Sequence, residues 1–238
     1  MAKAHEEWKV LAHGPTERLS ENLRWVQGSV PGMSLKRVMT VARLGDGRLV
    51  IHNAIALAEE PMKEFEAWGT PAYMVVPSGI HRLDAPAYKR RYPALRVIAP
   101  SGARKAVEAV IPVDFTYDDA PSLPGVRFER LNGVADAEGV MMVESPDGVS
   151  VVLNDAVFNM DRKRDPLGFF FTTVLGSAPG PRVSRLAKLA LVKDKSALRA
   201  DLERLAETPG LQRLIVSHEK VASGAEAAAA LRKAATFL

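Results

Sequence analysis

In the first third of the chain, apolar residues come in short runs rich in β-branched side chains, separated by glycine and charged pairs. "LRWVQGSV" (23–30) and "KRVMTVARL" (36–44) read as strands, and "GDG" (45–47) marks a tight turn into "RLVIHNAIAL" (48–57), the pattern of a hairpin. The period then changes. In "EEPMKEFEAWG" (59–69), Met62, Phe65 and Trp68 recur every three residues, which predicts a helix ended by Gly69. "PAYMVVPS" (71–78) is the next strand. "DAPAYKRRYP" (84–93) is a helix with Asp84 as its N-cap and Pro86 in its first turn, "LRVIAP" (95–100) a strand, and "SGARKAVEAV" (101–110) a helix opened by Ser101.

β signals return in "VRFERLNG" (126–133), "EGVMMVESP" (138–146) and "VSVVLND" (149–155), with "SPDG" (145–148) as the turn between the last two. A less regular segment from Asp161 to Ser184 holds the apolar patch "LGFFFTTVLG". In "SALRADLERLAETPG" (196–210), Leu198, Leu202 and Leu205 lie at spacings of four and three, so this is an amphipathic helix with Gly210 behind it. "LQRLIVSH" (211–218) is a buried strand, and the alanine-rich "GAEAAAALRKAATFL" (224–238) closes the chain as a helix. Two β-rich halves, each finished by helices and joined through at least one β-α-β crossover, predict an α/β sandwich rather than a doubly wound sheet. Neither a linker nor a repeat divides the 238 residues, so one domain over 1–238 is expected, with a Phe-rich helix-and-loop insertion over about 161–192.

Composition narrows the chemistry. Hydrophobic residues make up 47% of the chain, enough for a sizeable core. There is no cysteine, which excludes disulfides, thiolate metal sites and thiol nucleophiles, and leaves His, Asp, Glu and backbone as metal ligands. The charged start "MAKAHEEWKV" lacks a signal-peptide core, and the longest apolar patch is far short of the roughly 20 residues that span a bilayer, so a cytoplasmic protein without a membrane span is expected. Lysine and arginine number 32 against 28 acids, a net charge of +4. The basic runs "YKRRYP" and "RVSRLAKLALVKDK" read as solvated helix faces, and no nucleic-acid partner is expected because no binding motif accompanies them.

Three apolar strands end on residues able to bind metal or move protons: "YMVVPSGIH" at His81, "VSVVLND" at Asp155 and "LQRLIVSH" at His218. Strand ends offer a rigid scaffold with free loops. Two imidazoles and a carboxylate form an ordinary ligand set for zinc, iron or manganese; singly, each residue reads first as an ordinary turn cap or backbone partner, and it is the three together that point to a metal. His5, His13 and His52 have no comparable setting, and His5 is expected in a disordered tail.

Order and spacing over nearly the whole chain resemble the metallo-β-lactamase superfamily, the αββα sandwich of glyoxalase II-like hydrolases. "DGRLVIHNAIAL" is similar to its "dG..lLiDtg" segment. "VVPSGIHRLDAPAYKRRYPALRVIAP" is similar to the strand that ends in T-H-x-H-x-D-H with the helix and strand behind it, "VVLNDAVFNM" to the strand carrying the metal-bridging aspartate, and "LIVSHEKV" to the strand carrying the last histidine. Together, "MTVARLGDGRLVIHNAIAL" and the His81 segment resemble an uncharacterised branch with an eroded metal motif. If His81 is the last motif histidine, the earlier positions fall on Val76, Ser78 and Ile80, and the third histidine of the first metal would fall near Asp136, with Glu138 beside it.

The resemblance thus implies a four-layer αββα fold and, at most, one divalent metal (zinc, iron or manganese) on His81, Asp155 and His218, with open positions. Such a centre suits hydrolysis of an ester, thioester or phosphoester, with Asp136 or Glu138 as general base. The competing reading is a metal-free binding or regulatory module whose old site is plugged by Val76 and Ile80. A His218–Asp155 pair could also act as base without metal, although no G-x-S-x-G element supplies a nucleophile. Phe169, Phe170 and Phe171 cannot all face one side of an element. They line a pocket for an apolar small molecule, cover the site, meet a second copy in a homodimer, or close the core.

Overall fold

The computed structural model describes residues 3–238. Seven strands form the first sheet in chain order: β1 (Glu17–Ser20), β2 (Leu23–Val30), β3 (Met33–Arg43), β4 (Arg48–His52), β5 (Thr70–Val75), β6 (Arg96–Ala99) and β7 (Phe115–Thr116). The first four pair antiparallel and the rest parallel. The second sheet has the order β12-β11-β10-β9-β8, from β8 (Val126–Arg130), β9 (Gly139–Ser145), β10 (Gly148–Val152), β11 (Leu211–Ile215) and β12 (Ala222–Ser223), and within it only β10 and β11 run parallel. The helices are α1 (Glu59–Trp68), α2 (Ala85–Arg91), α3 (Arg104–Glu108), α4 (Pro166–Phe169), α5 (Arg185–Ala190), α6 (Lys195–Ala206) and α7 (Ala225–Ala235).

Alternation along the strands creates the layers. A strand presents successive side chains to opposite faces, so a strand apolar at every position must be covered on both. In β4, Val50 enters the core between the sheets, while Leu49 and Ile51 meet Met62 and Phe65 of α1 on the outer face. In β9, Met141 and Val143 point inward between the sheets, and Val140 and Met142 pack outward in the core formed by Leu198, Leu202 and Leu205 of α6 and Leu231 of α7. The product is helices, sheet, sheet, helices: the four-layer αββα sandwich expected.

Both turns predicted as hairpins join antiparallel neighbours, β3 to β4 and β9 to β10, with Gly47 and Gly148 at positive φ. Periodicity did not reveal β1, β7 and β12, which are two to four residues long. The irregular segment holds α4, which runs on as a wider helical turn over Phe170–Val174, and α5 follows directly behind it. Two local expectations need correction. Asp84 precedes α2 but its carboxylate makes no cap bond: fully buried, it takes Arg37 Nη2 at 2.6 Å, His5 Nδ1 at 2.7 Å and the Ala56 amide at 3.0 Å. His5 is therefore bound to the body of the protein instead of lying in a loose tail. His13 Nε2 accepts from the Ala58 amide at 3.0 Å, just ahead of α1.

His52, at the end of β4, is buried with its Nε2 unpartnered, and burial, with His81 nearby, lowers its pKa to about 3. It stays neutral in the fold, whereas the unfolded chain takes up a proton near pH 6.5. Its contribution is complete above that pH and is lost as the pH falls toward 3. Wild type should therefore lose about 1.4 kcal/mol per pH unit relative to His52→Leu between roughly pH 6 and 4. Parallel denaturant melts check this, and equal slopes for the two proteins would refute it.

Candidate metal centre

The parallel strands of both sheets deliver their C-terminal ends to one place. His81 follows β5 by a loop, Asp155 lies three residues past β10, and His218 three past β11. The structure brings all three together: one ligand atom from each fits within 4.8 Å of the others. Asp155 Oδ2 is 3.1 Å from His81 Nε2, and Oδ1 is 3.2 Å from His218 Nε2. The rings lie edge to face at 5.3 Å, and Phe158 stacks on His218.

The partners of the two Nδ1 atoms determine what the Nε2 atoms can do. Asn53 donates its Nδ2 to the Val38 carbonyl at 2.7 Å, so its Oδ1 faces His81 Nδ1 at 3.2 Å as an acceptor. His218 Nδ1 faces the Lys36 carbonyl at 2.8 Å, which can only accept. Both histidines must donate from Nδ1, so in their neutral forms both Nε2 lone pairs point at the carboxylate. Lone pair against lone pair is repulsive unless a cation lies between them, whether a proton on Nε2 or a metal. Asp155 Oδ1 is buried without a hydrogen bond of good geometry, as an atom awaiting such a cation would be. The donor set fits a divalent metal, and Asn53 and Lys36 supply the outer contacts that orient metal-binding imidazoles.

Electrostatics agrees with the geometry. Burial opposes the charge of Asp155, yet the imidazoles of His81 and His218 hold its carboxyl well below the usual range. Burial also works against charge on His218, but the hydrogen bond and charge of Asp155 outweigh it and raise the imidazole.

Glu138 is buried behind this group. It accepts from Asn154 Nδ2 at 2.7 Å and from the Asp155 and Ala156 amides at 3.1 and 2.9 Å. Burial, then the nearby Asp155 charge, pushes its carboxyl above the ordinary range. Asp136, the other base candidate, stands apart: its carboxylate is exposed, 3.9 Å from Arg130, and lines neither cavity beside Asp155.

Two cavities flank Asp155. One, of about 290 Å³, reaches Met33, Leu35, Arg37, Asn53 and both histidines. The other, of about 460 Å³, runs between Ser78, Ala103, Ala106, Glu138, Phe158, Leu186 and Leu191. Ile80 and Phe171 line both. Of the three phenylalanines, only Phe171 turns inward, 6.5 Å from His218, while Phe169 and Phe170 remain half exposed. Of the two proposed plugs, Val76 packs in the core beneath α1 and α2 and Ile80 stands at the cavity rim, so neither fills the space beside Asp155.

Asn53 and the Lys36 carbonyl were missed from sequence. Asn53 left a signal: an asparagine directly after an apolar strand suits the left-handed backbone it adopts, at φ 57°. A backbone carbonyl leaves none.

Two sheets with helices outside and a polar centre across their joined strand ends define the metallo-β-lactamase fold, and comparison with solved structures bears this out. The DIM-1 metallo-β-lactamase exposed to ceftazidime superposes with a TM-score of 0.61 at 14% identity, over 96% of this chain and 98% of that one. A metallo-β-lactamase from Pontibacter korlensis gives 0.60 at 12% identity, over 94% and 99%. One from Erythrobacter litoralis, with β-mercaptoethanol in its active site, gives 0.60 at 13%, over 94% and 96%. No protein-family model matches the sequence, and no curated protein matches it significantly.

Proposed function

We propose that the protein is a hydrolase of carboxylic esters or thioesters with an apolar acyl part, working with one divalent cation (zinc, iron or manganese) on His81, Asp155 and His218. The observation that carries this reading is the pair of Nδ1 contacts that turns both Nε2 lone pairs onto one carboxylate. A divalent ion held there supplies an activated water and polarises the substrate carbonyl. Asn53 and the Lys36 carbonyl fix the imidazole tautomers. Glu138, with both oxygens engaged by the segment that carries Asp155, acts as a positioning residue for that carboxylate. Phe171 and Ile80 keep bulk water from the reacting bond.

The cavity walls favour acyl substrates over phosphoesters. Among the described residues, Arg37 is the one cationic side chain that lines either cavity, and it is neutralised by Asp84 at 2.6 Å. A phosphoryl group would call for free arginine or lysine. The remaining walls are largely apolar.

Elemental analysis with thermal melts tests the metal. Wild type should hold near-stoichiometric zinc, iron or manganese after reloading, and melt roughly 5–10 °C higher at hundredfold excess over the dissociation constant. His81→Ala/His218→Ala should lose both effects. A wild type that takes up no metal from excess zinc or manganese refutes the hydrolase reading and leaves a ligand-binding module on the same fold.

A further inference from the structure

Exposed apolar side chains are concentrated in one place. Seven large ones stand out among the described residues, and five of them, Leu167, Phe169, Phe170, Val174 and Leu189, lie within a stretch of the second half of the chain; Ile80, at the cavity rim, is a sixth. Three of the five follow a helical stripe. Leu167, Phe170 and Val174 recur at spacings of three and four and are each about half exposed, while Gly168 and Thr172 on the other side are buried.

Cations are concentrated on the same segment. From Asp161 to Lys195 there are eight lysines and arginines against three aspartates, a surplus of +5. The whole chain carries +4, so the remainder is −1. Of the eight, Lys163 has a carboxylate partner, Glu219; the others have none among the described residues. One of them borders the apolar stripe directly: Arg185 reaches the Val174 carbonyl at 3.4 Å. Arg162 and Arg164, on either side of Lys163, are exposed. The other basic run contrasts with this one: Arg90 and Arg91 of "YKRRYP" are paired with Glu6, Glu7, Glu59 and Glu66. That run is a solvated, ion-paired face, as expected from sequence. The segment at 161–195 has no comparable set of ion pairs among the described residues.

We propose that this segment is a docking surface for an anionic lipid bilayer. A short helix with aromatic and aliphatic side chains outward, bordered by unpaired arginine and lysine, has the composition that lies in a membrane interface: the apolar tips enter the acyl boundary and the cations meet lipid phosphates. A protein partner would need acidic side chains on a wide apolar face, and nothing on this surface selects a shape. The location adds a consequence. Phe171 belongs to the same helical stretch and lines both cavities. Docking would set the cavity rim at Ile80 and Phe171 against the bilayer, from which an apolar molecule enters without crossing water. The proposal does not depend on a metal at Asp155.

Flotation of the full chain with phosphatidylcholine vesicles, with and without phosphatidylglycerol, tests it. Binding should occur on the anionic vesicles only and weaken with added salt. It should fall roughly tenfold or more in Phe169→Ser/Phe170→Ser, and by a similar factor in Arg162→Glu/Arg164→Glu, which replaces attraction to the lipid phosphates by repulsion. All four side chains are solvent-exposed, and unchanged circular dichroism would show that both variants fold. Three results would overturn the proposal: no flotation at low salt, flotation unaffected by either variant, or a wild-type dimer at rising concentration that Phe169→Ser/Phe170→Ser abolishes, which would make the patch a contact between two copies of this chain.

Discussion

Arg37→Met should lower unfolding stability by about 3–5 kcal/mol, a large fraction of the total for a chain of this size. Asp84 has no solvent exposure, and its carboxylate is balanced by Arg37 at 2.6 Å, with His5 and one backbone amide completing its contacts. Removing the guanidinium takes away the permanent counter-charge of a carboxylate that has no access to solvent. Removing both charges at once is a different experiment. Arg37→Met/Asp84→Asn keeps shape and the hydrogen-bonding edge, and should recover most of the loss, because a desolvated ion pair adds little over well-packed neutral groups. Urea melts of the three proteins check the cycle. Single and double variants of equal stability would refute the charge balance between Arg37 and Asp84.

Asp155→Asn should lower zinc affinity by about a hundredfold or more. The amide has the shape of the carboxylate, and its Nδ2 can donate to an imidazole Nε2 that already faces it, so the metal-free fold keeps a contact there and loses the charge pairing between Asp155 and the imidazoles. What it lacks is the negative charge that the two neutral histidines cannot supply to a dication. Glu138→Gln gives the graded comparison. Gln keeps one acceptor for the Asp155 and Ala156 amides and loses the other, so its zinc affinity should fall by only about tenfold, through a less well-held Asp155. Competition with a chromogenic chelator measures both. Should Asp155→Asn bind zinc as wild type does, the carboxylate is not a ligand.

These two carboxylates show how unevenly the sequence discloses a site. Asp155 and His218 are visible because each closes a long apolar run, where a polar residue must find a partner at the rim. His81 is visible for the same reason, although its strand stops at Val75 and a loop carries it the rest of the way. The position of Asp84 before "APAYKRR" reads as a helix cap, and local pattern offers nothing against that. Its actual partners, Arg37 and His5, lie 47 and 79 residues away. Glu138 and Asp136 are two residues apart and indistinguishable by type, yet one is buried against the Asp155 loop and the other faces Arg130 in solvent. The basic runs are likewise similar as text, and only the presence of acids on neighbouring elements separates them.

The sequence by itself determined the layered architecture, since side-chain pattern is a local property: unbroken apolar runs in β4 and β9 call for cover on both faces, and a spacing of three to four in α1 and α6 gives each helix one face to bury. It also determined that any metal must take nitrogen and oxygen ligands, because cysteine is absent. Only the tertiary structure decided that His81, Asp155 and His218 share one point, that Asn53 and a backbone carbonyl aim the two imidazoles, and that Phe171 alone of three phenylalanines turns toward them. Those are contacts between strand ends brought together from opposite sheets, and such long-range distances follow from packing, which no local pattern encodes.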